Sequence, residues 1–133
     1  YSSDGEYLAS GSHDGSIRIW HTEYFHVTSS NTHRFRSTPT SQQADTILLH
    51  GCDGCVVNAL SFSRTDSNLL ASGADFNGIK IWNVKEQACI HFFHRNNILM
   101  RSLHFAGGAD SACIALAASG SVIRLWKAEG ALD

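Results

Sequence analysis

Cys52-Asp53-Gly54-Cys55 is the sharpest chemical pattern in this sequence, because one turn can bring two cysteines at this spacing together. Such a pair can hold zinc or exchange a disulfide. Zinc needs two further ligands, and Cys89, His91 and His94 are on offer. The spacing, however, fits no finger or ribbon template. On a strand, alternate residues share a face, so Cys89 and His91 point one way and His94 another. A redox pair would want a helix after its first cysteine, whereas "GCVVNALSF" reads as strand. The reading set against a metal- or thiol-dependent enzyme is two small residues in a tight inter-strand loop.

Other constellations are looser. The eight histidines form no H-E-X-X-H or similar grouping. Ser10, His13 and Asp14 are the residue types of a hydrolase, but one short hairpin cannot place nucleophile, base and orienter in line. No G-X-X-X-X-G-K-[ST] or G-X-G-X-X-G phosphate cradle occurs, and "AGGAD" (106–110) reads as a loop. The cluster "HRFR" (33–36) is too small for a nucleic-acid face. In "RFRSTP", Ser37 and Thr38 lie beside Arg34 and Arg36 and just before Pro39. They are candidates for phosphorylation, which would set close to two negative charges against two arginines and order the loop. Neither a metal nor a cofactor is implied.

Composition narrows the class. The chain has 133 residues, 43% of them apolar and 17% charged, with a formal net charge of −2. That is enough apolar material for a core, and no field that selects nucleic acid or an anionic membrane. The longest apolar runs fall far short of the roughly 18 residues of a membrane span. No basic-then-apolar leader opens the sequence and no Asn-X-Ser/Thr acceptor occurs. With four cysteines, this favours a reduced, intracellular protein, cytoplasmic or nuclear.

The elements that must position these residues come from a repeat. "ASGSHDGSIRIW" (9–20) returns as "ASGADFNGIKIW" (71–82) and, more loosely, as "LAASGSVIRLW" (116–126). Trp20 and Trp82 are 62 residues apart, Trp82 and Trp126 only 44. The second spacing fits a four-stranded propeller blade, and the first exceeds it by 18. "TSSNTHRFRSTPTSQQADT" (28–46), poor in apolar residues and holding the single proline, accounts for the excess as a flexible insertion loop. Alternation predicts strands over 57–63, 69–73, 79–83 and 88–93, then 99–105, 112–118 and 122–126. No segment has a sustained helical period, so the fold expected is all-β, in short antiparallel hairpins.

"YSSDGEYLASGSHDGSIRIW" and "LSFSRTDSNLLASGADFNGIKIWN" resemble the WD-repeat family. The resemblance implies a partial WD-repeat β-propeller of four-stranded antiparallel blades, each repeat giving the outer strand of one blade and the inner three of the next. It divides the chain into a partial first blade (1–27), the insertion (28–46), a second blade region (47–87) and a third, incomplete one (88–133). Such a chain holds about two and a half to three blades where a closed ring uses 4 to 8, so more blades or more copies are needed. Its start at Tyr1 inside a structural unit points to a fragment of something longer. The family's buried hydrogen-bond network maps onto Ser10, Asp14 and Trp20, onto Ser72 and Trp82, and onto Trp126. It is incomplete, with Phe76 where an Asp belongs, and Leu116 and Gly120 in the third repeat. Apolar pairs are expected to compensate: Leu60/Phe62, Ile79/Ile81, Ile90/Phe92, Leu103/Phe105 and Ile123/Leu125. The function implied is a non-catalytic protein–protein interaction scaffold, part of a larger propeller or multiprotein complex. It would bind proteins or peptides rather than nucleic acid or membrane. The family pattern places partner contacts at His13, Asp75 and Ser119 in turns, and at Asn58 and Arg101 at strand starts.

Overall fold

The apolar stretches of this chain become strands because successive side chains point to opposite faces, at least one of which can be buried. The computed structural model describes residues 1–22, 25–27, 33–35, 46–51, 53–94, 99–108, 111–118 and 123–127. In chain order the strands are β1 (Tyr7–Gly11), β2 (Ser16–His21), β3 (Phe25–Val27), β4 (His33–Phe35), β5 (Ile47–His50) and β6 (Val57–Phe62). They continue as β7 (Leu69–Ala74), β8 (Gly78–Asn83), β9 (Ala88–His94), β10 (Met100–Gly108), β11 (Ser111–Ala118) and β12 (Ile123–Lys127). All pairings are antiparallel. The sheets run β1-β2-β5, β6-β7-β8-β9 and β10-β11-β12, with β3-β4 as a separate hairpin. No α-helix occurs among the described residues, so the fold is all-β and blade-like.

Three expectations need correcting. The repeat boundaries are not blade boundaries: residues 47–50 close the first sheet against β2, and residues 88–94 close the second against β8. The sheets are therefore staggered by one strand from the 47–87 and 88–133 divisions. Within the 28–46 insertion, residues 33–35 are strand, paired through Val27↔His33 and Phe25↔Phe35. The stretch 106–110 is not a plain loop either, since β10 runs on to Gly108 and pairs Gly107↔Ala112 and Gly108↔Ser111.

The second sheet is buried on both sides. On one side Ile17, Ile19 and Leu49 of the first sheet meet Val57, Phe62, Leu70, Trp82 and Val84. On the other, Leu69, Ala71, Ile79 and Ile81 meet Met100, Leu103 and Phe105 of the third sheet, with Trp126 against their edge. Each fully buried Ile or Leu contributes about 1.5–3 kcal/mol. One predicted apolar pair and half of another lie outside these layers, Ile90 packing against the second of them while Phe92 does not. Ile123 and Leu125 are 74% and 72% exposed, and Phe92 is 47% exposed. Ile17/Ile19 and Ile79/Ile81 hold the same places in their repeats and are almost wholly buried. The difference is that each of those pairs has a following sheet against it, whereas no described element covers β12.

Two glycines set the spacing between sheets. A Cβ on Gly11 would stand 2.7 Å from Val57 Cγ1 and 3.0 Å from the Val57 carbonyl oxygen. One on Gly73 would stand 2.5 Å from Met100 Cγ. Gly11→Ala and Gly73→Ala should therefore both lower stability in urea unfolding, by roughly 1–3 kcal/mol. Gly11→Ala should cost more, because a methionine side chain can move aside and the Val57 backbone cannot. Equal or negligible losses would mean that the sheets are not in close contact at these points.

Candidate functional site

The end of the sheets that carries the β1–β2 turn, the β7–β8 turn and the starts of β6 and β10 gathers the expected contact residues. It is knitted by backbone bonds: Val57 N–H donates to the Ser12 carbonyl at 3.1 Å, and Gly51 N–H to that of Gly15 at 2.9 Å. Lys80 Nζ reaches the Gly51 carbonyl at 2.5 Å and lies 5.0 Å from the Phe92 ring centroid. His13, Asn58 and Arg101 are exposed there. Ser119 lies outside the described residues, as do Ser37, Thr38 and Cys52.

Asp75 has a structural part at this end of the sheets. Its backbone N–H donates to the Val56 carbonyl at 3.1 Å. Its carboxylate accepts from Asn58 Nδ2 at 2.7 Å and from the Met100 N–H at 2.6 Å. Each oxygen thus accepts one internal bond, and the second of these fastens the start of β10 to the second sheet. Met100 also fills the space at Gly73, so one residue is held from two sides.

Phe76, the next residue, was missed as a site residue. Its φ is +58° and it is 60% exposed. A bulky residue in the left-handed region costs about 1–3 kcal/mol and persists only where its surroundings over-determine it. Here they do. Asp75 is bonded as described, and Asn77 donates from its N–H to the Ala74 carbonyl at 3.3 Å and from Nδ2 to Cys55 Sγ at 3.3 Å. The signal in the sequence was an aromatic in a turn position where the resemblance calls for an acid.

The tryptophan–serine pairs have distinct surroundings. Trp82 Nε1 donates to Ser72 Oγ at 2.8 Å, buried between the first two sheets. Trp20 Nε1 donates to Ser10 Oγ at 3.0 Å near the surface. No histidine hydrogen bond to either serine occurs among the described residues. Trp126 is half-buried, and the side chain at Leu116 lies outside the description. Asp14 accepts from the Ser16 N–H at 2.9 Å and from Ser16 Oγ at 2.6 Å. Ser10 Oγ accepts from Trp20 and Asp14 Oδ1 from Ser16, so no bond links Ser10, His13 and Asp14 into a relay among the described residues.

The cysteines depart from the reduced state expected. Cys55 is disulfide-bonded, so it has no thiolate to offer a metal or a substrate. The sequence could not show this, because bonding depends on which sulfurs the fold brings within range. Cys89 is free on β9, an outer strand of the second sheet. Partial burial pushes its thiol pKa up, outweighing Lys80, the opposite of an activated nucleophile. No group of three or more metal-ligating side chains occurs among the described residues.

Comparison with known proteins agrees with this architecture. Residues 1–21 match the family model described as WD domain, G-beta repeat. Over 70 residues, 53% of the chain, it is 37% identical to periodic tryptophan protein 2 of Arabidopsis thaliana. The match spans only 7% of that protein's length. The crystal structure of the computationally designed Ika4 protein superposes on 92% of the chain and 60% of its own, with a TM-score of 0.60 and 18% identity. That likeness is one of fold. No helix among the described residues is long and apolar enough to cross a membrane.

Two measurements check the polar network. Ser72→Ala leaves a buried indole N–H without a partner and should cost about 1–3 kcal/mol, with Ser10→Ala well below it. Similar losses from the two would mean that burial does not separate them. For Asp14, the bonds from Ser16 and Ser12 lower the carboxyl pKa to about 2. A depressed pKa stabilises the fold above the ordinary carboxylate value, and that contribution disappears as pH falls through about 2. The Asp14 carboxyl resonance should accordingly titrate near pH 2 rather than near 4.

Proposed function

We infer that this WD-repeat chain is a non-catalytic scaffold that binds other proteins or peptides through the end of its sheets where His13, Asn58 and Arg101 are exposed. One observation carries the reading. Those side chains stand on turns and strand starts that internal hydrogen bonds already hold in place, so binding need order little backbone. Arginine on a fixed support is a frequent source of binding energy at interfaces. Asp75 supports this surface from within rather than touching the partner. The same reading includes further blades or copies around the ring, which the exposure of Ile123 and Leu125 supports, since their counterparts in the first two repeats are covered.

Among the described residues nothing favours a zinc- or thiol-dependent enzyme, and the Cys89 thiol is not activated. The test is affinity capture on the immobilised chain with quantitative mass spectrometry. Arg101→Ala and His13→Ala should lose a defined set of proteins that Glu86→Ala, at the opposite end of the sheets, retains. Melting temperatures of all three should stay within about 2 °C of the parent, as for surface substitutions generally. Identical capture by all three variants would overturn the choice of surface.

A further inference from the structure

We propose that Phe76 and Arg101 form a two-point docking site for an extended peptide segment of a partner protein, one that carries an apolar side chain beside a carboxylate. The proposal rests on the scaffold reading and adds to it the chemistry of the partner.

Phe76 earns no stability where it stands. It is 60% exposed, belongs to neither apolar layer, and makes no hydrogen bond or ring contact among the described residues. Its backbone occupies a conformation that asparagine or glycine would adopt at less cost. The same position of the first repeat holds Asp14, whose carboxylate ties down its own turn by accepting from Ser16. A phenyl ring can do nothing of the kind. The turn is instead held by its neighbours, Asp75 and Asn77, so the ring is carried on a support that does not relax around it. A large apolar side chain presented on a fixed support loses little freedom on binding.

Arg101 is tied to the same turn through a single hydrogen bond of its neighbour. The Met100 N–H donates to Asp75 Oδ1 at 2.6 Å, and Phe76 and Arg101 are the residues that follow the two partners of that bond. Arg101 is exposed and forms no ion pair among the described residues. Each oxygen of Asp75, the acid between them, already accepts one internal bond, from Asn58 Nδ2 and from the Met100 N–H, and no Arg101–Asp75 ion pair occurs among the described residues. A guanidinium selects a carboxylate with two parallel hydrogen bonds, and an exposed ring selects apolar surface. Alternate residues of an extended segment point the same way about 6–7 Å apart, so one segment can offer both groups to the same side.

The test uses the whole chain and an array of 12-residue peptides in which one leucine or phenylalanine and one glutamate vary in spacing. A matched set carries lysine in place of glutamate. Fluorescence anisotropy should show binding to acidic–apolar peptides, at least 10-fold weaker for Phe76→Asn and for Arg101→Glu, and weaker for the lysine set. The melting temperature of Phe76→Asn should equal or exceed that of the parent, because asparagine suits the left-handed backbone. Absence of peptide binding, binding indifferent to either substitution or to the lysine exchange, or a melting temperature that falls for Phe76→Asn would each overturn the proposal. Protein capture that persists while peptide binding ignores Phe76→Asn would sink this site and leave the scaffold reading standing. Loss of all capture dependence on this surface would sink the scaffold reading itself.

Discussion

Val57 fits where Gly11 has no side chain, and Met100 fits where Gly73 has none. These two insertions set the distance between successive sheets, and the apolar layers on either side of the second sheet depend on it. A sheet with two apolar faces cannot be stable alone and must be covered twice. The glycines occupy the same position, nine residues before Trp20 and before Trp82. They leave the next sheet's first strand room to approach. The repeat is thus a recipe for contact between neighbours as much as for a hairpin.

Polar groups drawn into this packing are satisfied within it. Trp82 would bring an unpaired N–H between two sheets without Ser72 to accept it. Asn68 and Asn83 do the equivalent at the opposite end, joined at 2.8 Å, with the Lys85 N–H donating to Asn68 Oδ1 at 2.7 Å. No buried side-chain nitrogen or oxygen among the described residues lacks a partner. Asp75 belongs to the same economy: its carboxylate joins a turn of one sheet to the first strand of the next. The stiffness of the candidate docking end is therefore a by-product of how the sheets are joined. A surface of this kind can present side chains without first having to order them.

Where sequence and structure part company, the physical cause can be named. The strands at 57–62, 69–74, 78–83 and 88–94 fall close to the apolar runs bounded by turn residues, because such runs must be buried wherever they stand. Alternation could not say whether the face of Ile123 and Leu125 is covered, since cover is provided by another element. It read 33–35 as loop because three paired residues are too few to carry a period. His13, Asn58 and Arg101 were legible as exposed residues at turns and strand starts. Asp75 was not legible as a fastener, because its partner Met100 is 25 residues away in sequence. Phe76 was visible as a departure from the resemblance, but its strain and exposure belong to the folded turn alone.

The sequence by itself determined the all-β class, the hairpins, the tryptophan–serine pairing positions and the repeat that makes neighbouring sheets alike, all of which are encoded within some twenty residues of one another. Only the tertiary structure decided which strand closes which sheet, which apolar pairs are covered, which cysteine is oxidised and which acid is consumed internally. Those outcomes turn on contacts between residues far apart in the chain, and local preference carries no information about which of two equally apolar faces, or two equally polar turns, another element will meet.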